Sequence, residues 1–231
     1  MLTAVQKRPH PFSLVVALLF AAVLHQLRRE APLAQERAEA AITLSKQQGF
    51  AAFLAMGTLL RGWAPAEQGR RLEGIAHIRE GLDGWRAVGN QLLRPYFLSL
   101  LAEAYGKAGQ AEEALRILGE ALATVHSTGE RWREAELYRL KGDLRLTQAA
   151  GNGVWRPAHT ETAMPAAAKG EGRGRSPLLV DAEACLLQAL DIARRQQANS
   201  LELRAAIGLS RLWQRQGKRT EARQLLAEIY G

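Results

Sequence analysis

Small residues return every forty positions along this chain. With Ala114 as origin, the column holds Ala34 and Gly74 before it and Ala182 and Ala222 after it; the step to Ala182 is sixty-eight residues, and the next is again forty. Four residues on, a second column reads Ala38, Ile78, Leu118, Leu186 and Leu226. A third reads Ala41, Gly81, Ala121 and Ala189, with Ile229 as its exception. Gly69, Gly109 and Gly217 mark one punctuation point, with Arg29 in the first unit, and Gly49, Gly89 and Gly129 mark another. Self-similarity at this period describes a stack of repeated units, each too small to bury its own apolar face, and excludes a chain organised around one central core.

The stretch from Leu98 to Leu122 identifies the unit. Leu98, Leu101, Ala102 and Tyr105 follow the i, i+3, i+4, i+7 spacing of one helix face. Gly109 and Gln110 interrupt it, and Ala114, Leu118 and Ala121 resume the period on a second helix. Composition agrees, with 47% hydrophobic and only 6% aromatic residues, and a bias to Ala, Leu, Glu, Gln and Arg, all strong helix formers. Period-2 alternation is nearly absent, so strands are not expected. Cys185 is the only cysteine; it excludes an internal disulfide and reads as a small buried hydrophobe.

The large–large–small–aromatic run Leu98, Leu101, Ala102, Tyr105, followed by Ala114, Leu118, Ala121, resembles the tetratricopeptide repeat (TPR). The resemblance implies an all-α, TPR-type right-handed α-solenoid of about five helix pairs with a forty-residue period. Residues 1–12 form a lead-in, 13–146 hold three pairs and the first helix of a fourth, and 181–231 hold its second helix and the fifth pair. Residues 147–180, rich in Gly, Ala and Pro with no apolar period, are expected to be a disordered insertion inside the fourth pair, with Trp155 its one candidate for docking.

Three features strain the pattern. The apolar run Leu14–Leu24 looks like an export signal, but it is too short to span a bilayer and no A-x-A site follows. Leu18, Ala21, Ala22 and His25 place it as the first helix of a terminal repeat, so no membrane association is expected. Its all-round apolarity suggests that further chain once covered it. Pro65 predicts a kink or an end near Ala64, and Gly74 and Gly81 make the second unit the weakest helix former and the expected weak joint. In the fourth unit Leu137, Leu140 and Leu144 share a face, which reads as a register one residue off the ladder.

No catalytic or cofactor motif is present. GEGRGR (Gly170, Gly172, Gly174) lacks the strand and helix of a dinucleotide site. His10, His25, His77, His126 and His159 share no i, i+4 face, so no metal site is expected. The pairs Glu112–Glu113 and Glu134/Glu136 suit helix starts, where the dipole favours acids. The expectation is a chain that is not an enzyme and needs no cofactor.

The net charge is +8 and the isoelectric point about 10.1. Arg28–Arg29, Arg70–Arg71 and Arg194–Arg195 fall at helix ends, as solvated surface would; Arg211, Arg215, Lys218, Arg219 and Arg223 are denser. Solvated surface or an acidic protein partner is favoured over nucleic acid, whose footprint would be a basic stripe on one face, and no helix-turn-helix is apparent within these residues. First helices of a TPR array line its groove. The groove positions are therefore read as Met56, Trp63 and Glu67, then Tyr96, Ser99, Glu103 and Lys107, then Tyr138 and Arg145, then Arg204, Arg211 and Arg215. Such a groove grades from apolar to basic and suits a peptide with one hydrophobic and one acidic end; Trp63 and Tyr96 read equally well as packing between units. The alternative is a nucleic-acid-binding helical repeat using the basic C-terminal groove.

A narrower resemblance rests on whole phrases. HPFSLVVALLFAAVLHQLRRE, LAMGTLLRGWAPAEQG, RPYFLSLLAEAYGKAG, EAELYRLKGDL and the run from AEACLLQALDIARR to the C-terminus are similar to the C-terminal repeats of large bacterial signalling proteins. In these, an adenylate/guanylate cyclase-like or DNA-binding domain precedes an ATPase of the LuxR/MalT-like kind, and the repeats follow. The resemblance implies a cytoplasmic sensing or assembly arm whose catalytic parts lie elsewhere on the polypeptide, and it carries no catalytic residue into this stretch.

Overall fold

The computed structural model describes residues 10–151 and 176–230, and these form ten α-helices and no strand. They are α1 (Pro11–Leu27), α2 (Ala31–Gln48), α3 (Ala51–Glu67), α4 (Arg71–Ala87), α5 (Arg94–Lys107), α6 (Ala111–Thr128), α7 (Glu134–Ala149), α8 (Pro177–Arg195), α9 (Asn199–Arg215) and α10 (Arg219–Tyr230). Most of the lead-in, and residues 152–175 of the expected insertion with Trp155 and the GEGRGR glycines, lie outside the described residues. The flanks of that insertion are helical instead: α7 runs on to Ala149, and α8 starts at Pro177, not Asp181. Proline at the first turn of a helix gives up only a donor that would have had no partner there.

The chain divides into two compact units, one up to Leu92 and one from Leu93. In the first, α3 packs against α1, α2 and α4; in the second, α7 packs against α5, α6, α8 and α9. The small columns are where paired helices meet. Ala34, Ala114, Ala182 and Ala222 are all fully buried. Glycine takes this further. A Cβ at Gly74 would lie 2.6 Å from the Ala66 Cβ, and one at Gly81 would lie 2.6 Å from Leu59 Cγ and 2.7 Å from the Leu59 backbone nitrogen. Those glycines mark the closest approach of α3 and α4 rather than a loose joint.

Three sequence expectations change. Pro65 sits inside α3, which continues through it to Glu67; so near the end only one backbone hydrogen bond is forgone, and Arg70 N–H closes the turn on the Pro65 carbonyl at 2.9 Å. In α7, Gly142 occupies the small column forty residues after Ala102, and a Cβ there would meet Leu186 Cγ at 2.8 Å. The fourth pair therefore keeps the strict register. The turn positions that carry glycine elsewhere accept Arg29 (φ 64°) and Gln197 (φ 52°), a left-handed backbone that costs a non-glycine residue about 1 kcal/mol.

These contacts separate two kinds of glycine. Gly81→Val inserts atoms where α3 backbone already stands and is expected to cost about 1–3 kcal/mol in urea denaturation. Gly119, in α6, faces open space, so Gly119→Ala is expected to stabilise by up to about 1 kcal/mol. Shifts of the same sign at both positions would remove close packing as the reason for the ladder.

Candidate functional site

Most residues expected to line an open groove are inside the protein. Met56, Trp63, Tyr96, Ser99, Glu103 and Lys107 are all buried. The reason is enclosure of the first helices: α3 meets helices on several sides, and α5 is buried from Pro95 through Lys107. Polar members of this set find partners within the fold. Ser99 Oγ donates to the Tyr96 carbonyl at 2.6 Å, and Lys107 Nζ pairs with Glu103 Oε1 at 3.0 Å. Tyr96 lies against Phe97 and Trp132, with the Arg133 guanidinium 5.4 Å from its ring centre. In the first unit Arg29 lies 5.9 Å from the Trp63 ring and 3.5 Å from Glu67. These aromatics are packing anchors with a cation over the face.

Tyr138 and Arg145 also turn away. Tyr138 packs beside Ala135, Ile192 and Ala193, and Arg145 Nη1 donates to Gln148 of its own helix at 3.1 Å. Stepping 96, 99, 103 and 107 forward by forty instead gives Glu136, Arg139, Asp143 and Thr147, which is the row the second unit assembles. A further sixty-eight residues reaches Arg204, Arg211 and Arg215 on α9.

Arg139 is the centre of this row and is almost fully buried. Its Nε and Nη2 donate to the two carboxylate oxygens of Glu136, each at 2.8 Å, and its Nη1 donates to Asp143 Oδ2 at 2.6 Å. One guanidinium fork thus serves two carboxylates, a geometry lysine could not supply. Arg204 Nη1 approaches Glu136 Oε1 at 3.7 Å from α9, and Arg133 Nη2 at 4.0 Å from the start of α7. The spacing Glu136, Arg139, Asp143 was visible in the sequence as an i, i+3, i+7 charge row. Such i, i+3 and i, i+4 ion pairs ordinarily lie on an exposed helix face, so the spacing alone does not mark them as buried.

Burial raises Glu136, but the charge and hydrogen bonds of Arg139, with Arg133 and Arg204 behind it, bring it down to about 2. Asp143 has less compensation: burial pushes it up to about 6 despite Arg139, with Glu136 adding repulsion and Arg211 attraction. Burial opposes the Arg139 charge, yet Glu136 and Asp143 hold its pKa above the ordinary arginine value. Arg133, Arg139, Arg204 and Arg211 thus act on the two buried carboxylates Glu136 and Asp143. Arg211 and Arg215 are exposed, one turn apart on α9, and neither has an ion-pair partner within the usual distance among the described residues.

Other chemistries gain no support. Among the described residues no three His, Cys, Asp or Glu side chains could together hold a metal ion. Cys185 is buried, and burial raises its pKa, which disfavours the reactive thiolate. Glu134, read as a dipole partner, pairs with Arg131 at 3.0 Å. No described helix is long and apolar enough to cross a membrane.

The two carboxylates on Arg139 make opposite contributions to stability. Asp143, at about 6 against about 3.9 unfolded, gives stability present below about pH 4 and lost as pH rises through about 6. Glu136, at about 2, gives stability present above about pH 4 and lost as pH falls through about 2. Asp143→Asn removes the titration of the first group together with its charge on Arg139. Denaturation midpoints should show the variant gaining on the native chain from about pH 4 to about pH 7; a constant offset would deny Asp143 this environment.

No protein-family model matches the chain. An uncharacterized protein of Rhizobium meliloti (strain 1021) is 33% identical over 87 residues, which is 38% of this chain and 8% of that protein. Two solved structures match almost throughout. One is the Podosopora anserina protein with nearly identical TPR-like repeats described as a kinesin light chain, with TM-score 0.55, 18% identity and 96% of both chains covered. The other is a single-substitution variant of it, with TM-score 0.56, 17% identity, and 96% of this chain and 95% of that chain covered. The fold is that of TPR-like helical repeats.

Proposed function

We propose that this chain is a protein- or peptide-binding repeat scaffold, non-catalytic in itself, whose second unit takes acidic segments on α9 beside the buried charge row. The exposed pair Arg211 and Arg215 carries this reading. The inner part of the row is already neutralised by Glu136 and Asp143, so the surplus positive charge sits where a ligand can reach it. An extended or helical peptide carrying Asp or Glu one turn or two residues apart would meet both arginines. The titratable groups beneath them are consumed by internal ion pairs, which supports binding rather than turnover.

Placement in a larger protein follows from phrase-level similarity to bacterial cyclase-like and LuxR/MalT-like ATPase regulators, and the partial match to a much longer protein supports it. In that setting the repeats serve as a cytoplasmic sensing or assembly arm, and upstream ATPase, cyclase or DNA-binding domains supply the chemistry.

Fluorescence anisotropy with a labelled Glu-rich peptide tests the site. The double variant Arg211→Glu/Arg215→Glu is expected to weaken binding at least about tenfold, about 1.4 kcal/mol, with helix content unchanged. Equal binding by the variant would sink the assignment. Single-stranded RNA competing as well as the peptide, with a steep salt dependence, would transfer the surface to nucleic acid.

A further inference from the structure

Asp143 stands where three helices of the second unit meet. It is buried on α7, and its Oδ2 accepts from Arg139 Nη1 at 2.6 Å. Its other oxygen, Oδ1, faces α9 and lies 3.5 Å from the position a Cβ on Gly208 would take. Glycine brings the α9 backbone up to the carboxylate there and adds no side-chain donor. Leu186 of α8 closes the third side, 2.8 Å from where a Gly142 Cβ would be and 3.1 Å from where a Gly208 Cβ would be. The cover over Asp143 is therefore an apolar side chain and the backbone of α9.

The neighbouring charges do not make up for that cover. On its own helix Arg139 divides its fork between two acids, and Glu136 takes two of the three bonds. Two carboxylates on one guanidinium repel each other and leave one of them short of positive charge. From α9, Arg211 attracts Asp143, while Arg204 is turned to Glu136 at 3.7 Å. From α5, Glu103 acts on Arg139 and is itself paired with Lys107. No side chain of α6 or α8 is among the main charges acting on Asp143.

With α9 lifted away, the same carboxylate would face water. We propose that seating of the α9–α10 pair against α7 takes up a proton at Asp143, which makes this seam a pH-sensitive joint. With α9 seated, burial lifts Asp143 to about 6; with α9 away it returns towards about 3.9. A group raised in the seated state gives that state stability that is fully present below about pH 4 and lost as pH rises through about 6. Between pH 5 and pH 7 the seating equilibrium therefore falls about tenfold. Glu136, at about 2, stays ionised across this window. Helix α10 packs on α9, so the two leave together. This inference is independent of the acidic-peptide site on α9.

Amide hydrogen exchange of the 231-residue chain tests it, with each rate divided by that of an unstructured chain at the same pH. Protection in α9 and α10 is expected to fall about tenfold from pH 5 to pH 7, while α5 holds its protection. Asp143→Asn is expected to abolish the fall. Arg211→Gln, a change at an exposed position, removes an attraction on Asp143 and is expected to move the fall to higher pH; it decides the case on its own should Asp143→Asn fail to fold. Constant protection in α9 and α10, a fall that persists in Asp143→Asn, or a midpoint unmoved by Arg211→Gln would overturn the proposal. So would an equal fall in α5, because the proton would then belong to the whole unit.

Discussion

Two helix backbones lie closest where one of them carries no side chain at the crossing. At Gly62, Gly74, Gly81 and Gly142 the position of an absent Cβ falls within 3 Å of atoms on the neighbouring helix, and alanines do the same less tightly at the equivalent places. Everything larger is arranged around these crossings. Pinning each pair at fixed positions forty residues apart repeats the same helix–helix geometry in each pair. That repetition brings residues from successive first helices into rows, and a charge row on α7 and α9 is then a consequence of periodicity.

The row itself is not evidence of stability. Burying Arg139 and its two carboxylates removes three charges from water, and well-packed apolar residues commonly do as well or better. Because Glu136, Arg139 and Asp143 all stand on α7, their ion pairs move with the helix and do not by themselves fix its register. The contacts that would be lost in a one-residue slip are those to neighbouring helices: Gly142 against Leu186 of α8, and the approach of Arg204 of α9 to Glu136 at 3.7 Å.

Much of this fold was legible because it depends on residue size at fixed intervals. The small columns identified the pairs, and glycines at 49, 89 and 129 identified the turns. Gln197 closes the equivalent turn with the same left-handed backbone, but its side chain hides a position that glycine would have advertised. Pro65 misled because its cost depends on where a helix ends, and α3 stops two residues later. The candidate site was harder to read. Trp63 and Tyr96 look like ligand anchors in a list of residues, whereas their surroundings make them supports under Arg29 and Arg133. The α9 arginines follow the ladder, and Arg211 and Arg215 are exposed at the positions it gives. Tyr138 and Arg145 do not follow it; three leucines on one face of α7 mimicked a shifted register.

The shared guanidinium of Arg139 also divides labour by depth. Its two carboxylates outnumber it below the surface, and the surrounding arginines Arg133, Arg204 and Arg211 supply the remaining positive charge. Arg215, exposed one turn beyond Arg211, is not among the main charges acting on either carboxylate and can be exchanged for other side chains without disturbing that layer. A lineage carrying this unit could thus revise what it recognises, one exposed position at a time, while the scaffold underneath stays unchanged.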